Sequence, residues 1–449
     1  MRRILHVTYS NYLDDSNGAS VASRAMLEYL ASRGFAVRVV CGPGLEAGSG
    51  EDVAGWAASR GLAFVPGAEG PAHLFLDLRG VAVAVLRGPT TPRDPGADEC
   101  QDFLALFEAA WERHRPEVVV GYGGGALSRE VLRRAKARGA ATVFPLHNLR
   151  YRDAAPFADA DAVVVASRFA AEHYRATLGL RCTVLPNLVD PGRVRAEVRE
   201  PRYIVFVNPT VEKGVFLFAR VADEVGRRRP DIPFLVVESR GTESDVASCG
   251  LDLQARGNVF FLPETPDPRR FWRVARLCLL PSLVAENQPM VAIEAMTNGV
   301  PVLGTDRGGI PETLGRAGVV FSPPGRLTPA TRVLPTVEEV APWVESILRL
   351  WDHPELIRRA PPPGPGRGAA VGPGDPGPSA GTVLSGPQAR AKALIGGQSL
   401  EAGAISLESR GGPGHDGPST LTGGPSSTAE QGTHQQLVAP GGNLRTRSG

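Results

Sequence analysis

Lysine is nearly absent from this chain: of its 49 basic residues only Lys136, Lys213 and Lys392 are lysines, and the other 46 are arginines. Where a lysine does occur in a loop, a compact ammonium is specifically wanted there. Net charge is also small, since 49 basic against 47 acidic side chains leave +2. That balance excludes the strongly basic field of a dedicated nucleic-acid binder. Five cysteines (Cys41, Cys100, Cys182, Cys249, Cys278) stand singly, with no CxxC pair. This pattern argues against a zinc ribbon or dithiol site and fits reduced thiols packed as small apolar fillers. No apolar run approaches the roughly 18 residues that cross a membrane. The apolar run behind Met1-Arg2-Arg3 is too short for a signal peptide. The expected location is therefore the cytoplasm.

What is present is an ordinary globular composition, 42% hydrophobic and 21% charged over 449 residues, enough for two or three domains. Strand and helix signals alternate. Ile4–Thr8 and Ala36–Cys41 read as strands flanking a helix over Ser20–Ser32 that Gly34 stops. This order implies a right-handed crossover and a parallel sheet. Further strands are expected at Val118–Gly121, Ala141–Pro145 and Ala162–Ala166, with helices at Cys100–Arg113, Ser128–Arg138 and Arg168–Thr177. A second set opens at Tyr203–Val207. It continues through Val215–Arg228, Phe234–Glu238, Val259–Leu262, Pro268–Arg276, Leu277–Leu280, Met290–Asn298 and Val300–Gly304 to a helix over Ala341–Leu350. The expected layout is an N-terminal domain over 1–188, a linker over 189–201, a C-terminal domain over 202–358 and a disordered tail over 359–449. Residues 361–449 hold 21 of the 53 glycines and 12 of the 40 prolines but no Phe, Trp or Tyr, too little apolar surface to offset chain entropy. Two doubly wound α/β domains leave a cleft at the carboxyl ends of their strands, where such sheets bind ligands.

The stretch Leu279–Pro301 carries the chemistry. Asn287 or Gln288 can cap a helix there, Pro289 suits its first position, Gly299 its left-handed stop, and Pro301 forbids continuation. The loop Glu286–Gln288 then sits at a helix N-terminus, where free N–H groups and the dipole favour an anion. Glu294 shares a helical stripe with Met290, Ile293 and Thr297, an expensive place for a carboxylate unless something binds it. Its side chain tilts back toward the helix start, so both carboxylates can face one end of a cleft; the alternative is that Glu286 only complements the helix dipole and Glu294 makes a structural bond.

Glu286, seven intervening residues and Glu294 resemble the E-x7-E signature of retaining, GT-B-fold glycosyltransferases of family 4. Neighbouring segments strengthen the resemblance: Asn208-Pro209-Thr210-Val211-Glu212-Lys213-Gly214, Gly304–Glu312 with its Gly308-Gly309 turn, Phe144–Asn148, Val165–Phe169 and Leu185–Asp190. It covers roughly residues 1–355. The implied fold is two Rossmann-like domains facing a cleft, with the C-terminal one holding a nucleotide-diphosphate sugar (UDP- or GDP-sugar).

The resemblance implies catalytic roles for Glu286, Lys213 and His147, and donor binding by Glu294, Asn208, Gln288, Met290, Val291 and Gly18. Glu294 would accept hydrogen bonds from the ribose, and Glu286 would contact the transferred sugar. The backbone N–H groups of Gln288, Met290 and Val291 would cradle the distal phosphate; Pro289 has no N–H to give. Lys213 would meet the charge that builds on the departing diphosphate. Gly18 would let the donor phosphates approach from the other domain, and His147 would touch the sugar or shape the acceptor site. No metal and no cofactor is implied; the partners are the nucleotide sugar and an unknown glycosyl acceptor, with no nucleic acid.

Two departures stand out. The resemblance puts an arginine where this chain has Asn208: either another arginine, such as Arg240 after the strand Phe234–Glu238, compensates, or the site is less cationic. The helical pattern also breaks after about Arg359. Three rivals stay open: a non-catalytic nucleotide-sugar-binding protein, a sugar-nucleotide epimerase, and a metal-dependent enzyme using Asp159-Ala160-Asp161. Gly121-Tyr122-Gly123-Gly124-Gly125 lacks dinucleotide-binding spacing. The basic face of the helix over 128–138 (Arg133, Arg134, Lys136, Arg138) suits contact with an anionic membrane surface.

Overall fold

The alternation of strands and helices folds into two sheets, each wrapped on both faces. In the computed structural model, residues 2–62, 64, 72–353 and 355 are described; the tail expected over 359–449 lies outside them. The N-terminal half runs β1 (Arg3–Ser10), α1 (Gly18–Ser32), β2 (Ala36–Gly44), α2 (Val53–Ser59), β3 (His73–Leu78), β4 (Val81–Leu86), α3 (Ala97–His114), β5 (Val118–Tyr122), α4 (Ala126–Ala137), β6 (Ala141–Leu146), β7 (Ala162–Val165), α5 (Arg168–Leu178) and β8 (Cys182–Val184). A short α6 (Pro191–Val194) lies in the connection. The C-terminal half runs β9 (Tyr203–Val207), α7 (Val215–Arg228), β10 (Phe234–Val237), α8 (Glu243–Ala247), β11 (Val259–Leu262), α9 (Arg269–Trp272), β12 (Ala275–Leu280), α10 (Met290–Thr297), β13 (Val302–Thr305), α11 (Ile310–Leu314), β14 (Gly318–Phe321) and α12 (Val337–Asp352).

The first sheet has strand order β3-β4-β2-β1-β5-β6-β7-β8 and the second β11-β10-β9-β12-β13-β14. Each sheet is buried between two apolar layers. Leu5, Phe103, Phe107 and Phe144 mark one face of the first, and Ile4, Val39, Trp56 and Val83 the other. Phe206, Phe218, Phe234 and Trp343 mark one face of the second, and Val205, Trp272, Cys278 and Val302 the other. Burial on both faces explains why these strands read as continuous Val/Ile/Leu runs. Strand order reverses between β1 and β5 in the first sheet and between β9 and β12 in the second. Those are the switch points where open α/β sheets take ligands.

Several expectations are corrected. The first sheet is not wholly parallel: β3 pairs antiparallel with β4. Their two-residue turn, Arg79-Gly80, takes φ of 53° and 82°. That is the doubly left-handed geometry of a tight hairpin, which Asn-Gly signals more plainly than Arg-Gly does. The helix expected over Pro268–Arg276 is only α9, because Ala275 already pairs with Tyr203 at the sheet centre. The cap of α10 also differs. Pro289 is itself the N-cap rather than the first helical residue, and no side chain caps the helix. Asn287 and Gln288 are drawn away into bonds with the N-terminal half, described below. Gly299 does take the left-handed stop, at φ 64°.

The five cysteines are free thiols, and no described helix is long and apolar enough to cross a membrane. The basic face of α4 is internally paired: Arg133 and Arg134 meet Glu130, Arg134 and Arg138 meet Glu108, and Lys136 meets Asp161. These pairs engage the four basic side chains on which membrane contact was expected.

Candidate active site

A cavity of about 910 Å³ opens at the carboxyl ends of both sheets, and every site residue expected from the sequence lines it. Its C-terminal wall is built by the loops that follow β9 and β12, the two strands flanking the switch point. The loop after β9 is pinned at both ends. Asn208 sits at φ 61°, with its N–H on Val237 O at 2.8 Å and its Oδ1 accepting from Gly241 N at 3.0 Å. At the far end Gly214 has φ 83°, and a Cβ there would lie 2.0 Å from Pro281 O. Only glycine lets this loop press against the β12 loop. Glu212 O then accepts from Leu283 N at 2.9 Å and Val284 N at 3.2 Å. So fastened, Lys213 Nζ pairs with Glu286 Oε1, and Ser282 Oγ donates to the same oxygen at 2.8 Å.

Glu286 leads into α10. Among the described residues the N–H groups of Gln288, Met290 and Val291 have no hydrogen-bond partner, so three amides at the positive end of a helix face the cavity. One turn further, Glu294 points back to the same end. Trp272 Nε1 donates to its Oε2 at 3.1 Å. Withdrawal from water pushes its pKa up to about 7, the Trp272 bond opposes this, and Asp15 across the cleft adds to it. The two carboxylates of the motif are thus unlike: one has a cation and a hydroxyl, the other a single indole donor.

The N-terminal wall comes from α1 and the ends of β5 and β6. Asn17 caps α1 by accepting from Ala19 N at 2.8 Å. Gly18 opens the helix, and a Cβ there would meet nothing within 4 Å. His147 follows β6. Its Nε2 shares a hydrogen bond with Ser23 Oγ at 3.3 Å, and its ring stands edge-on to Tyr122 with centroids 5.1 Å apart. Burial, with His6 as a second and smaller cause, lowers its pKa to about 4, so the imidazole is neutral at physiological pH. Arg240, expected to stand in for the arginine missing at 208, does line the cavity. Its guanidinium, however, meets Glu46 of the opposite wall at 3.0 Å.

Two details separate expectation from structure. Gln288 uses its side chain and its carbonyl on the N-terminal half, with Oε1 accepting from Asn187 N at 2.6 Å and its backbone O from Asn187 Nδ2 at 3.1 Å, so only its backbone N–H is left for a ligand. Asp161 of the DxD pattern accepts from Thr142 N and Oγ1, both at 3.0 Å, and pairs with Lys136 at 3.3 Å. It pins β6 to β7 and does not line the cavity. Sequence reasoning missed Trp272, Ser282 and Tyr122. Ser282 lies four residues ahead of Glu286, a local hint; nothing local announces Trp272 or Tyr122.

Paired switch-point loops around one cleft define a GT-B architecture. The family model described as Glycosyltransferase Family 4 matches residues 16–193, and that described as Glycosyl transferases group 1 matches residues 201–337. The chain belongs to the family 4 glycosyltransferases. Sequence comparison with curated proteins finds no match. Solved structures share the fold at low identity. Sucrose-phosphate synthase from Thermosynechococcus elongatus superposes with a TM-score of 0.57 at 17% identity, covering 80% of this chain and 92% of that one. HepE of Anabaena, in complex with UDP and glucose, gives 0.53 at 16%, covering 80% and 93%. The pneumococcal O-GlcNAc transferase GtfA, in complex with UDP and GlcNAc, gives 0.54 at 12%, covering 79% and 93%.

Proposed function

We propose that the protein is a retaining, metal-independent glycosyltransferase that moves a hexosyl group from a UDP- or GDP-sugar to an acceptor hydroxyl. The observation that carries this reading is the convergence on one cavity of Lys213, three unpartnered amides at the start of α10, and the Glu294 carboxylate. A nucleoside diphosphate needs these complements: cations and N–H donors for the phosphates, and a carboxylate acceptor for the ribose diol. As the bond from the anomeric carbon to the diphosphate breaks and one to the acceptor oxygen forms, negative charge grows on the leaving oxygen, and the proton of the acceptor hydroxyl passes to the departing diphosphate. Lys213 and the α10 amides are already aimed at that region, so they stabilise it without reorganising. In this reading Lys213 exchanges part of its bond to Glu286 for the phosphate, and Glu286 turns to the sugar hydroxyls. His147, neutral and held by Ser23, offers a hydrogen bond to the sugar or the acceptor. Gly18 meets no protein atom that requires glycine, so its lack of a side chain serves the approaching donor.

Metal independence is supported by Lys213 as a cation at the site and by the engagement of Asp161 within the N-terminal half. The neighbours HepE and GtfA, each in complex with UDP, make UDP-sugars the first donors to try. Calorimetric titration with UDP and GDP, followed by donor turnover with and without EDTA, tests the reading. Micromolar binding of one nucleotide and EDTA-insensitive turnover are expected; failure of both nucleotides to bind would overturn it. A non-catalytic nucleotide-sugar-binding protein is the second reading. It is favoured by Asn208, whose carboxamide oxygen is occupied by Gly241 N–H where the resemblance puts a cation. Tight binding with no turnover on any acceptor would select it.

A further inference from the structure

Directly between Glu286 and Gln288 lies a side chain that does not cap α10. Asn287 is 5% exposed and uses both ends of its carboxamide on the opposite half of the molecule. Oδ1 accepts from Ser167 Oγ at 2.9 Å, and Nδ2 donates to Leu146 O at 2.9 Å. The orientation of the amide is not arbitrary. A carbonyl oxygen only accepts, so the nitrogen end must face Leu146. Ser167 Oγ in turn accepts from Ala170 N at 3.2 Å as the cap of α5, which leaves its proton for Asn287. Leu146 is the last residue of β6, immediately before His147. One buried carboxamide therefore ties the residue after Glu286 to the residue before His147.

The surroundings keep this joint tight. Gly309 N donates to Glu286 O at 2.7 Å. A Cβ on Gly309 would fall 2.0 Å from Asn287 O and 3.1 Å from Ser167 Oγ. Glu312, on the same turn, accepts from Arg168 N and Phe169 N at 3.1 Å each, across the cleft. Resting on the donor-site reading above, we propose that Asn287 is a positioning residue. By joining the β12 loop to the ends of β6 and β7, it sets the relation between the Glu286 carboxylate on one wall and the His147 imidazole on the other. The side chain must supply one donor and one acceptor from a short planar group, which aspartate cannot do when ionised and alanine cannot do at all.

The test uses the full-length protein with Asn287→Asp, Asn287→Ala, Ser167→Ala and Ser167→Thr. Hydrogen exchange is read over residues 146–150, nucleotide affinity by titration with UDP and GDP, and turnover with the donor that the titration selects. Asn287→Asp is expected to speed exchange over 146–150 about tenfold, as for loss of one buried hydrogen bond. It should lower kcat by a similar factor while nucleotide affinity moves less than about threefold, because the phosphate-facing amides belong to the backbone of the same loop. Ser167→Ala should behave like Asn287→Asp in both respects, and Ser167→Thr, which keeps the hydroxyl, should restore both. Unchanged exchange over 146–150 in Asn287→Asp overturns the proposal. So does faster exchange spread evenly over both sheets with nucleotide affinity lost in proportion, which marks a merely structural role. If neither nucleotide binds the unmodified protein, the donor reading fails on that observation alone. The exchange comparison between Ser167→Ala and Ser167→Thr still decides whether the joint holds 146–150.

Discussion

Around the switch point of the C-terminal sheet stand Lys213, Glu286 and Glu294; around that of the N-terminal sheet stand Gly18, Tyr122 and a neutral His147. The two walls share one kind of scaffold, yet the groups at one switch point are ionisable and those at the other are uncharged, although Asp15, Arg24 and Glu46 also line the N-terminal side. The C-terminal wall takes its ionisable groups from two short loops and one helix turn, close enough that Lys213 and Glu286 pair directly. The other wall gathers single residues from three distant elements and holds the His147 ring uncharged by burial. In the proposed reading the anion is held chiefly by Lys213 and the α10 amides on the C-terminal side, and the N-terminal side orients the sugar or acceptor.

The largest expected effect breaks or keeps this division. Lys213→Ala should slow transfer by roughly 10²–10³, the range found for a single transition-state donor, whereas His147→Phe should cost clearly less in steady-state kcat. Equal losses would mean the walls do not divide the work. Next come two glycines that play opposite parts. Gly309→Ala forces a Cβ against Asn287 O and should destabilise the protein by about 2–4 kcal/mol in chemical denaturation. Gly18→Ala has open space around it, should change stability by less than about 0.5 kcal/mol, and should weaken nucleotide binding instead. A stable Gly309→Ala would show that the walls are not in fixed contact there.

Glu294 supplies the third test. Its folded pKa, about 7, lies above the ordinary 4.5, so its contribution favours the native state fully below pH 4.5. That contribution is lost as pH rises through about 7. Glu294→Gln should therefore melt at a higher temperature than the parent at pH 9, by up to about 3 kcal/mol in stability, and should match it near pH 4. Nucleotide binding should show the opposite trend in the parent, strengthening from pH 6 to 8 as the carboxylate ionises. Glu294→Gln should flatten that rise. A pH-independent affinity in the parent would remove Glu294 from the ribose.

The smallest effect lies on the acid side. His147 and His6 both have folded pKa values of about 4, below the ordinary 6.5. They contribute stability above pH 6.5 that is lost as pH falls through about 4. His147→Gln should make that acid limb shallower without abolishing it, since His6 still titrates, and a stability–pH curve between 4 and 7 checks this.

Much of the C-terminal wall was legible in the sequence because its signals are local. Glu286 and Glu294 lie close together on one segment, the first in the loop before α10 and the second within the helix, whose ends are written by Pro289, Gly299 and Pro301. Lys213 is conspicuous in a chain that otherwise uses arginine. The N-terminal wall was less legible. His147 was visible only through resemblance, Tyr122 not at all, and the Arg79-Gly80 hairpin passed unnoticed because its turn lacks the usual residues. Trp272 was hidden for a different reason: it holds Glu294 from another element, 22 residues away along the chain. Asn287 illustrates the gap best. Its position suggested a helix cap, but two partners 120 and 141 residues distant compete for the same carboxamide and win.

By itself the sequence determined the alternation of most strands and helices, which loop leads into a helix N-terminus, and which residue types could answer a diphosphate. These depend on backbone conformation and side-chain chemistry over a few neighbouring residues. Only the tertiary structure decided that Lys213 faces Glu286, that Glu294 is left almost unpartnered, and that Asn287 spans the cleft. Those outcomes come from sheet order and from burial shared by residues far apart in the chain, and burial is what raises one carboxyl and neutralises one imidazole in the same cavity.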